Sequence, residues 1–162
     1  MSLPWSKPGN HPKRIFIHWS GGRRKDAYPD YTFIVMGDPD GQVRQNYSDL
    51  DIPLYATWHE NTDSVDIAAM GALGARPDGH KGSEWPTNLQ RERIAYLIAQ
   101  ESIAHNIPID RSHVMTHCEI ATKDGYGPGS GSPDMRWDFM GEGDWFRNKA
   151  TWYRQKLLSR PA

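Results

Sequence analysis

Two histidines that lie far apart in the sequence have the residue type and placement of metal ligands. His18 ends one short apolar run and His117 ends another. A carboxylate follows downstream, in the triplet Arg136-Trp137-Asp138, after a glycine-rich stretch. Two imidazoles at strand ends and one carboxylate from a loop can form an open zinc site, in which the fourth position is left for water or substrate. Such a site would be that of a hydrolase.

The spacing leaves a second interpretation open, in which both histidines are hydrogen-bonded residues of the core or its rim. The chain has 7 histidines and no short metal signature such as His-Glu-x-x-His. Cys118 follows His117, but successive side chains of a strand point to opposite faces, so we expect a buried, unreactive thiol rather than a ligand. If the strand continues, Glu119 returns to the face of His117 as a hydrogen-bond acceptor behind that ligand.

The elements that would position these residues are short strands and two helices. Thr87 and Gln90 have capping-box spacing at the start of the first helix, and Asp144 is the expected N-cap of the second. The predicted strands cover 14–18, 31–36, 42–46, 64–70 and 113–117, and the predicted helices cover 87–105 and 144–159. After an irregular lead-in over 1–13, this order predicts a single α/β domain over 14–162, with a central mixed β-sheet of short strands flanked by helices.

Composition narrows the classes of partner. A formal net charge of -1 gives no electrostatic case for nucleic acid or an anionic membrane. No apolar run is long enough to span a bilayer, and the N-terminus lacks the apolar core of a secretory signal. We therefore expect a protein that is made in the cytoplasm, and we expect it to be a monomer. Because it has a single cysteine, it cannot form an internal disulfide. The 7 tryptophans, several of them beside polar or glycine residues, suggest a groove for a sugar or peptide.

Seven short segments follow, in the same order, the pattern of a known family. The first contains His18 and the small hydroxyl residue Ser20, and the second contains Tyr31. The whole set is 15–20, 30–35, 37–43, 56–59, 61–71, 116–121 and 136–138. In this order the segments resemble the zinc-dependent N-acetylmuramoyl-L-alanine amidases of the type 2 amidase and peptidoglycan-recognition superfamily, to which phage endolysins belong. The resemblance covers most of the chain, from 14 to 139.

The resemblance implies a site as well as a fold. It implies that Zn²⁺ is held by His18, His117 and Asp138. The substrate would be the amide bond between N-acetylmuramic acid and L-alanine in peptidoglycan. Tyr31 and Arg136 would be the catalytic residues. The substrate-binding residues would be His59, Trp58, Trp19 and Trp137.

Two departures from the family pattern bear on the mechanism. Some members have a glutamate general base where this chain has Ala68, so the resemblance implies the tyrosine type of mechanism, with Tyr31. Arg136 stands where the family has lysine, and a guanidinium stays charged but is a poor proton donor. Two alternatives to an endolysin that reaches the wall through a membrane lesion stay open. One is a non-catalytic peptidoglycan-binding module, and the other is a cytoplasmic amidase that recycles muropeptides.

Overall fold

The computed structural model describes residues 12–48, 54–61 and 63–160, which form five strands and three helices. Most of the predicted lead-in, residues 1–11, lies outside this part. The strands are β1 (Arg14–Trp19), β2 (Phe33–Gly37), β3 (Asp40–Gln45), β4 (Ser64–Ala69) and β5 (Val114–Thr116). The helices are α1 (Asn88–His105), α2 (His117–Lys123) and α3 (Gly143–Leu158). Within the described residues, no helix has the length and apolar character to cross a membrane.

One mixed sheet joins these strands in the order β3-β2-β4-β1-β5. β1 pairs in parallel with both β4 and β5, β2 is parallel to β4, and the edge strand β3 is antiparallel to β2. The carboxyl ends of parallel strands lie at the same edge of a sheet. Because Ile17 is paired with Thr116, the next residue in each segment, His18 and His117, arrives at one place on that edge. The predicted α/β class with a mixed sheet is confirmed.

Alternation along β1 sends its side chains to both faces of the sheet. Ile15, Ile17 and Trp19 enter the main core, which also contains buried residues of α1 and α3. Phe16 lies in a separate cluster on the opposite face, together with Ile120 of α2. His18 follows Phe16 by two residues and therefore lies on this second face. The face covered by the long helices stabilises the fold, and the other face presents the histidine.

The start of α1 confirms the predicted capping box. Thr87 Oγ1 accepts a hydrogen bond from the Gln90 N–H, and the Gln90 side-chain oxygen accepts one from the Thr87 N–H. The buried Gln90 also donates through Nε2 to the carbonyl oxygens of Val35 and Met70, at 2.9 Å each. This satisfied polar side chain therefore joins α1 to the ends of β2 and β4.

The bounds of β2 and β3 differ from the predicted ones. β2 begins at Phe33, and Tyr31 lies in a bend before it rather than in the strand. The hairpin between β2 and β3 turns through Asp38 and Pro39 alone, so β3 begins two residues earlier than the predicted return strand.

The predicted cap of α3 is wrong. The helix begins at Gly143, and its N-cap is Glu142, which makes no side-chain capping bond. Asp144 lies in the first turn, where its carboxylate pairs with Arg147 at 2.9 Å. A negative charge in the first turn still favours the helix, because it lies at the positive end of the helix dipole.

Candidate metal centre

The three predicted ligands converge at the carboxyl edge of the sheet. His18 comes from the end of β1, His117 is the first residue of α2, and Asp138 lies in a turn before α3. The Nδ1 atoms of the two histidines are 3.1 Å apart. Asp138 Oδ2 is 3.6 Å from His117 Nδ1 and 4.0 Å from His18 Nδ1. All three side chains are buried, and they form a group that can hold a metal ion.

These distances fit three ligands of one tetrahedral ion. Two atoms that are each about 2.1 Å from the same Zn²⁺ are separated by about 3.4 Å at the tetrahedral angle. The two imidazole rings meet edge to face, with 4.8 Å between their centroids. At 3.1 Å, only one of the facing Nδ1 atoms has room for a proton. A cation between the two nitrogens and the carboxylate would satisfy all three acceptors at once, so the residues fit a zinc ion.

The protonation states of these groups also suit a cation. Burial lowers the pKa of His117 below its usual value, and His18 and Arg136 add to this against the opposing effect of Asp138. Burial by itself would raise the pKa of Asp138, but contacts with both histidines and with the Trp19 N–H hold it below its ordinary value. A neutral imidazole and an ionised carboxylate are the forms that bind a metal.

A buried aspartate that the sequence analysis did not single out lies behind His18. Asp66 of β4 places Oδ1 2.8 Å from His18 Nε2, the ring nitrogen that is not among the facing Nδ1 atoms. Thr57 Oγ1 donates to the same oxygen at 3.2 Å, and Ser64 Oγ donates to Oδ2 at 3.2 Å. Asp66 and Thr57 are each 1% exposed. The available signal was an acidic residue inside an otherwise apolar strand, since such residues are seldom buried unless they are paired.

Tyr126, also missed by the sequence analysis, contacts His117 from behind. Its hydroxyl oxygen is 3.1 Å from His117 Nε2. Burial and the nearby Asp124 raise the pKa of Tyr126 to about 12, so the phenol keeps its proton at neutral pH. Trp58 packs edge to face against this ring, with 5.3 Å between centroids. Tyr126 lies in a glycine-rich loop, where no periodic pattern of apolar residues indicates a buried side chain.

The strand predicted over 113–117 ends at Thr116, so the condition under which Glu119 would lie behind His117, a strand that continues, is not met. Thr116 and Glu119 form a capping box that starts α2 at His117. Thr116 Oγ1 accepts from the Glu119 N–H at 3.1 Å, and Glu119 Oε1 accepts from the Thr116 N–H at 2.9 Å. The Glu119 carboxylate also binds Arg147 of α3, at 2.9 and 2.8 Å. The Thr-x-x-Glu spacing was present in the sequence, but it follows an apolar run that resembles a strand.

Two clefts reach the candidate ligands. One has a volume of 490 Å³ and the other 440 Å³, and both are lined by His117 and Arg136. The first also includes Trp58, Asn61, Asp124, Tyr126 and Asp134. The second also includes Trp19, Asp30, Tyr31, Trp137 and Asp138. The two clefts therefore adjoin each other beside the candidate ligands.

The predicted catalytic residues Tyr31 and Arg136 both line the second cleft. Arg136 is exposed, and its Nη1 donates to the main-chain oxygens of Asp134 at 3.3 Å and Met135 at 3.4 Å. A guanidinium has five N–H donors, so this contact leaves others for a ligand. The Tyr31 hydroxyl donates to the Trp19 carbonyl oxygen at 3.4 Å. Burial, followed by nearby carboxylates, raises the pKa of Tyr31 well above its usual range, so this phenol is a donor and not a base.

The predicted substrate-binding residues differ in how a ligand can reach them. Trp58 is 57% exposed and lines the first cleft. His59 packs against the Trp58 ring at 3.6 Å between centroids, but it is not among the described residues that line either cleft. Trp19 is a core residue, 7% exposed, whose ring packs on Trp137 at 4.6 Å. Trp137 is half-buried and lines the second cleft. Of the three tryptophans, Trp58 and Trp137 are therefore more accessible to a ligand than Trp19 is.

Cys118 is a buried, free cysteine beside His117. Burial, together with the negative charge of Asp138, raises the pKa of its thiol to about 11. The thiol therefore stays protonated at neutral pH, in agreement with the expectation of an unreactive side chain.

Comparison with known proteins gives matches to solved structures. No protein-family model matches the chain, and no curated protein is similar to it in sequence. The endolysin Ph2119 from the Thermus scotoductus MAT2119 bacteriophage Ph2119 superposes with a TM-score of 0.51 and 18% identity, over 71% of this chain and 80% of that chain. A mutant of PlyL superposes with a TM-score of 0.55 and 18% identity, over 86% of this chain and 85% of that one.

A third solved structure is the N-acetylmuramoyl-L-alanine amidase LysC from Clostridium intestinale URNW. It has a TM-score of 0.49 and 15% identity, over 72% of this chain and 79% of that chain. The superpositions on the phage endolysin and on PlyL show that the chain has the α/β fold of these two structures.

Proposed function

We propose that the protein is a zinc-dependent N-acetylmuramoyl-L-alanine amidase that hydrolyses the bond between N-acetylmuramic acid and L-alanine in peptidoglycan. The observation that carries this proposal is the convergence of His18, His117 and Asp138 beside two clefts on an endolysin-like fold. Two neutral imidazoles and one carboxylate would leave a bound zinc ion positively charged and with an open position. A zinc ion in such a site lowers the pKa of water to about 7 and polarises a carbonyl group.

Arg136 is proposed to stabilise the negative charge that develops on the amide oxygen. Arg136 lines both clefts and is an exposed residue, so a ligand can reach it. A preorganised donor to such an oxyanion contributes about 3 kcal/mol to catalysis. Since arginine does not lose its proton in proteins, another group must donate the proton to the departing amine.

Tyr31 is proposed to orient the reacting groups through its hydroxyl. The centroid of its ring lies 5.1 Å from that of the His18 ring, and Tyr31 lines the second cleft together with Asp138. Its raised pKa keeps the hydroxyl protonated, so it can donate a hydrogen bond to a nucleophilic oxygen or a leaving group in exchange for its long, 3.4 Å bond to the Trp19 carbonyl oxygen. Ala68 is paired with His18 in the sheet register, so β4 offers no carboxylate base at the position next to that ligand.

The clefts are proposed to hold the glycan and peptide parts of the substrate. Together they are large enough for a segment with a sugar on one side of the scissile bond and a peptide on the other. Trp58 and Trp137 would pack against the apolar faces of the substrate. His59, next to Trp58, would contact it only if the Trp58 segment moves, and Trp19 would support Trp137 from the core.

The proposal is tested by product analysis on purified sacculi. The wild-type protein is expected to release stem peptides with a free N-terminal alanine, to lose this activity with a chelator and to regain it with Zn²⁺. His117→Ala should be inactive, whereas His80→Ala, at an exposed loop position, should match the wild type. Cleavage that survives both chelation and His117→Ala would refute the proposal.

The same assay distinguishes the setting in which the enzyme works. An endolysin, which reaches the wall through a membrane lesion, is expected to act on intact sacculi. A recycling amidase is expected to act on soluble muropeptides and to leave sacculi intact. A module that only binds peptidoglycan would sediment with sacculi and release no peptide.

A further inference from the structure

The carboxylate of Asp66 shows which nitrogen of His18 carries the proton. A carboxylate accepts hydrogen bonds and has no proton to donate. The 2.8 Å contact between Asp66 Oδ1 and His18 Nε2 therefore requires a proton on Nε2. In the neutral ring this leaves the lone pair on Nδ1, the atom that faces His117 and Asp138. Tyr126 does not define the protonation of His117 in this way, because its hydroxyl can donate or accept.

Asp66 itself is held on both oxygens. Thr57 Oγ1 donates to Oδ1 and lies 3.3 Å from His18 Nε2, so it closes a triangle with the aspartate and the histidine. Ser64 Oγ donates to Oδ2. The Asp66 N–H donates to Thr32 Oγ1 at 3.0 Å, which fixes the backbone of β4 at this residue. All five residues of this network are buried, so its geometry is defined by the protein and not by solvent.

The same geometry excludes Asp66 as the general base of the reaction. A base must lie within about 3.2 Å of the group whose proton it takes, directly or through one water. Asp66 contacts the Nε2 side of the His18 ring, whereas the candidate ligand atoms meet on the Nδ1 side. Its two oxygens already accept from His18, Thr57 and Ser64.

The negative charge of Asp66 is a second reason to connect this residue with the metal. Asp66 and Asp138 are both buried and both lie close to His18. Two carboxylates near one another in the interior are costly unless a cation compensates them. Their combined charge is equal and opposite to that of a divalent zinc ion. A carboxylate behind a ligating imidazole also makes that imidazole a more basic ligand.

We propose that Asp66 is a positioning residue that holds His18 as the Nε2–H tautomer and thereby prepares Nδ1 to bind the metal. Thr57 keeps the carboxylate in place. This inference rests on the zinc site of the proposed function, but it concerns the affinity for the metal and the state of the metal-free histidine. Neither quantity requires that the protein cleave peptidoglycan.

Three variants separate the contributions to zinc binding. Asp66→Asn keeps an acceptor for His18 and removes the charge. Thr57→Val removes the hydroxyl and keeps the carboxylate. The matched control Ser64→Ala removes the bond to the oxygen that does not contact His18. Zn²⁺ affinity is measured on the full chain by competition with a chromophoric chelator. Loss of an acidic partner behind a histidine ligand weakens metal binding by about 10–100-fold, so we expect at least about tenfold for Asp66→Asn. We expect less for Thr57→Val, and the smallest loss for Ser64→Ala, because Ser64 contacts only the oxygen that faces away from His18.

Urea unfolding of the metal-free proteins separates positioning from a structural role. Asp66→Asn removes one of two buried negative charges, so the metal-free variant is expected to be at least as stable as the wild type while it binds zinc more weakly. A purely structural residue would show the reverse, with lower stability and unchanged zinc affinity of the folded protein. That outcome would overturn the proposal.

Nitrogen-15 NMR of the imidazoles gives a readout that does not depend on zinc. In the metal-free wild type at neutral pH, His18 is expected to be protonated on Nε2 and unprotonated on Nδ1. The opposite tautomer would refute the inference. If the wild type shows the expected tautomer but binds no zinc, the proposed function fails while the hydrogen-bond assignment stands. If it binds zinc and Asp66→Asn binds equally well, the inference fails and the proposed function stands.

Discussion

Replacement of Glu119 by alanine should destabilise the protein far more than replacement of a surface carboxylate. The change removes two hydrogen bonds to Arg147 and the capping bond to the Thr116 N–H. The Arg147 side chain is only 7% exposed, so its charge would be left in the interior with a single acidic partner, Asp144. Breaking a buried ion pair costs about 3–5 kcal/mol. Because the Glu119 side chain is 35% exposed and Asp144 remains, we expect the lower end, about 3 kcal/mol.

The assay is urea unfolding of the metal-free protein, with circular dichroism as the signal that monitors unfolding. Asp144→Ala is the matched control, since Asp144 also contacts Arg147 but is largely exposed, and its loss should be much smaller. A double variant with Arg147→Met would show whether the cost of Glu119→Ala comes from the unpaired guanidinium. A loss below about 1 kcal/mol, the value of a surface pair, would refute the reasoning.

The contribution of Glu119 should also depend on pH in a defined direction. Burial by itself would raise the pKa of Glu119, but the bonds from Arg147 and the Thr116 N–H outweigh it, so the folded pKa lies below the ordinary value of 4.5. A group with a depressed pKa stabilises the fold above its unfolded pKa and loses this effect as the pH falls through the folded value. The difference in stability between wild type and Glu119→Ala should therefore be constant near neutral pH and shrink under acid conditions.

Substitutions at three further positions test the site and the helices around it. Arg136→Ala should lower kcat for stem-peptide release by about 100-fold at unchanged zinc content, and Arg136→Lys should keep most of the activity. Equal rates for the wild type and both variants would exclude a role of Arg136 in stabilising the oxyanion. Thr87→Ala should cost about 1 kcal/mol in urea unfolding, because it removes the cap of α1, and an unchanged midpoint would contradict this. Gly143→Ala gains about 1 kcal/mol in helix propensity, but its Cβ would collide with the Glu119 carboxylate, which costs about 1–3 kcal/mol. The net loss is measured by thermal unfolding, and a more stable variant would show that Glu119 moves aside freely.

The pattern of residues predicts the sheet and the candidate metal ligands, but not the residues that lie behind these ligands. His18 was identified because it ends a buried strand, and that placement is a local property of the sequence. The partner Asp66 depends on β4 lying beside β1 in parallel register, which local periodicity does not encode. The position of Tyr126 is still harder to predict from the sequence, because it depends on the path of a loop.

Two local signals, one for a strand and one for a helix start, overlap in the sequence at the start of α2. The apolar run before His117 indicates a strand, and the Thr-x-x-Glu spacing over 116–119 indicates a helix start. Both are true in the structure, since the strand ends at Thr116 and the helix begins one residue later. The same capping signal at Thr87 agrees with the helical spacing of the residues that follow it, so it indicates the start of α1 without a competing signal.

The position of β1 in the sheet has a consequence for how the candidate site opens. β1 has parallel partners on both sides, and its residues from Ile15 to His18 are almost completely buried. Amides in such a strand exchange with solvent only when the whole domain unfolds, whereas surface loops open at little cost. Arg136 is supplied by such a loop. Hydrogen exchange should therefore divide the candidate site into a slow half, around His18, and a fast half, around Arg136, so that the wall of the cleft can rearrange while His18 stays in place.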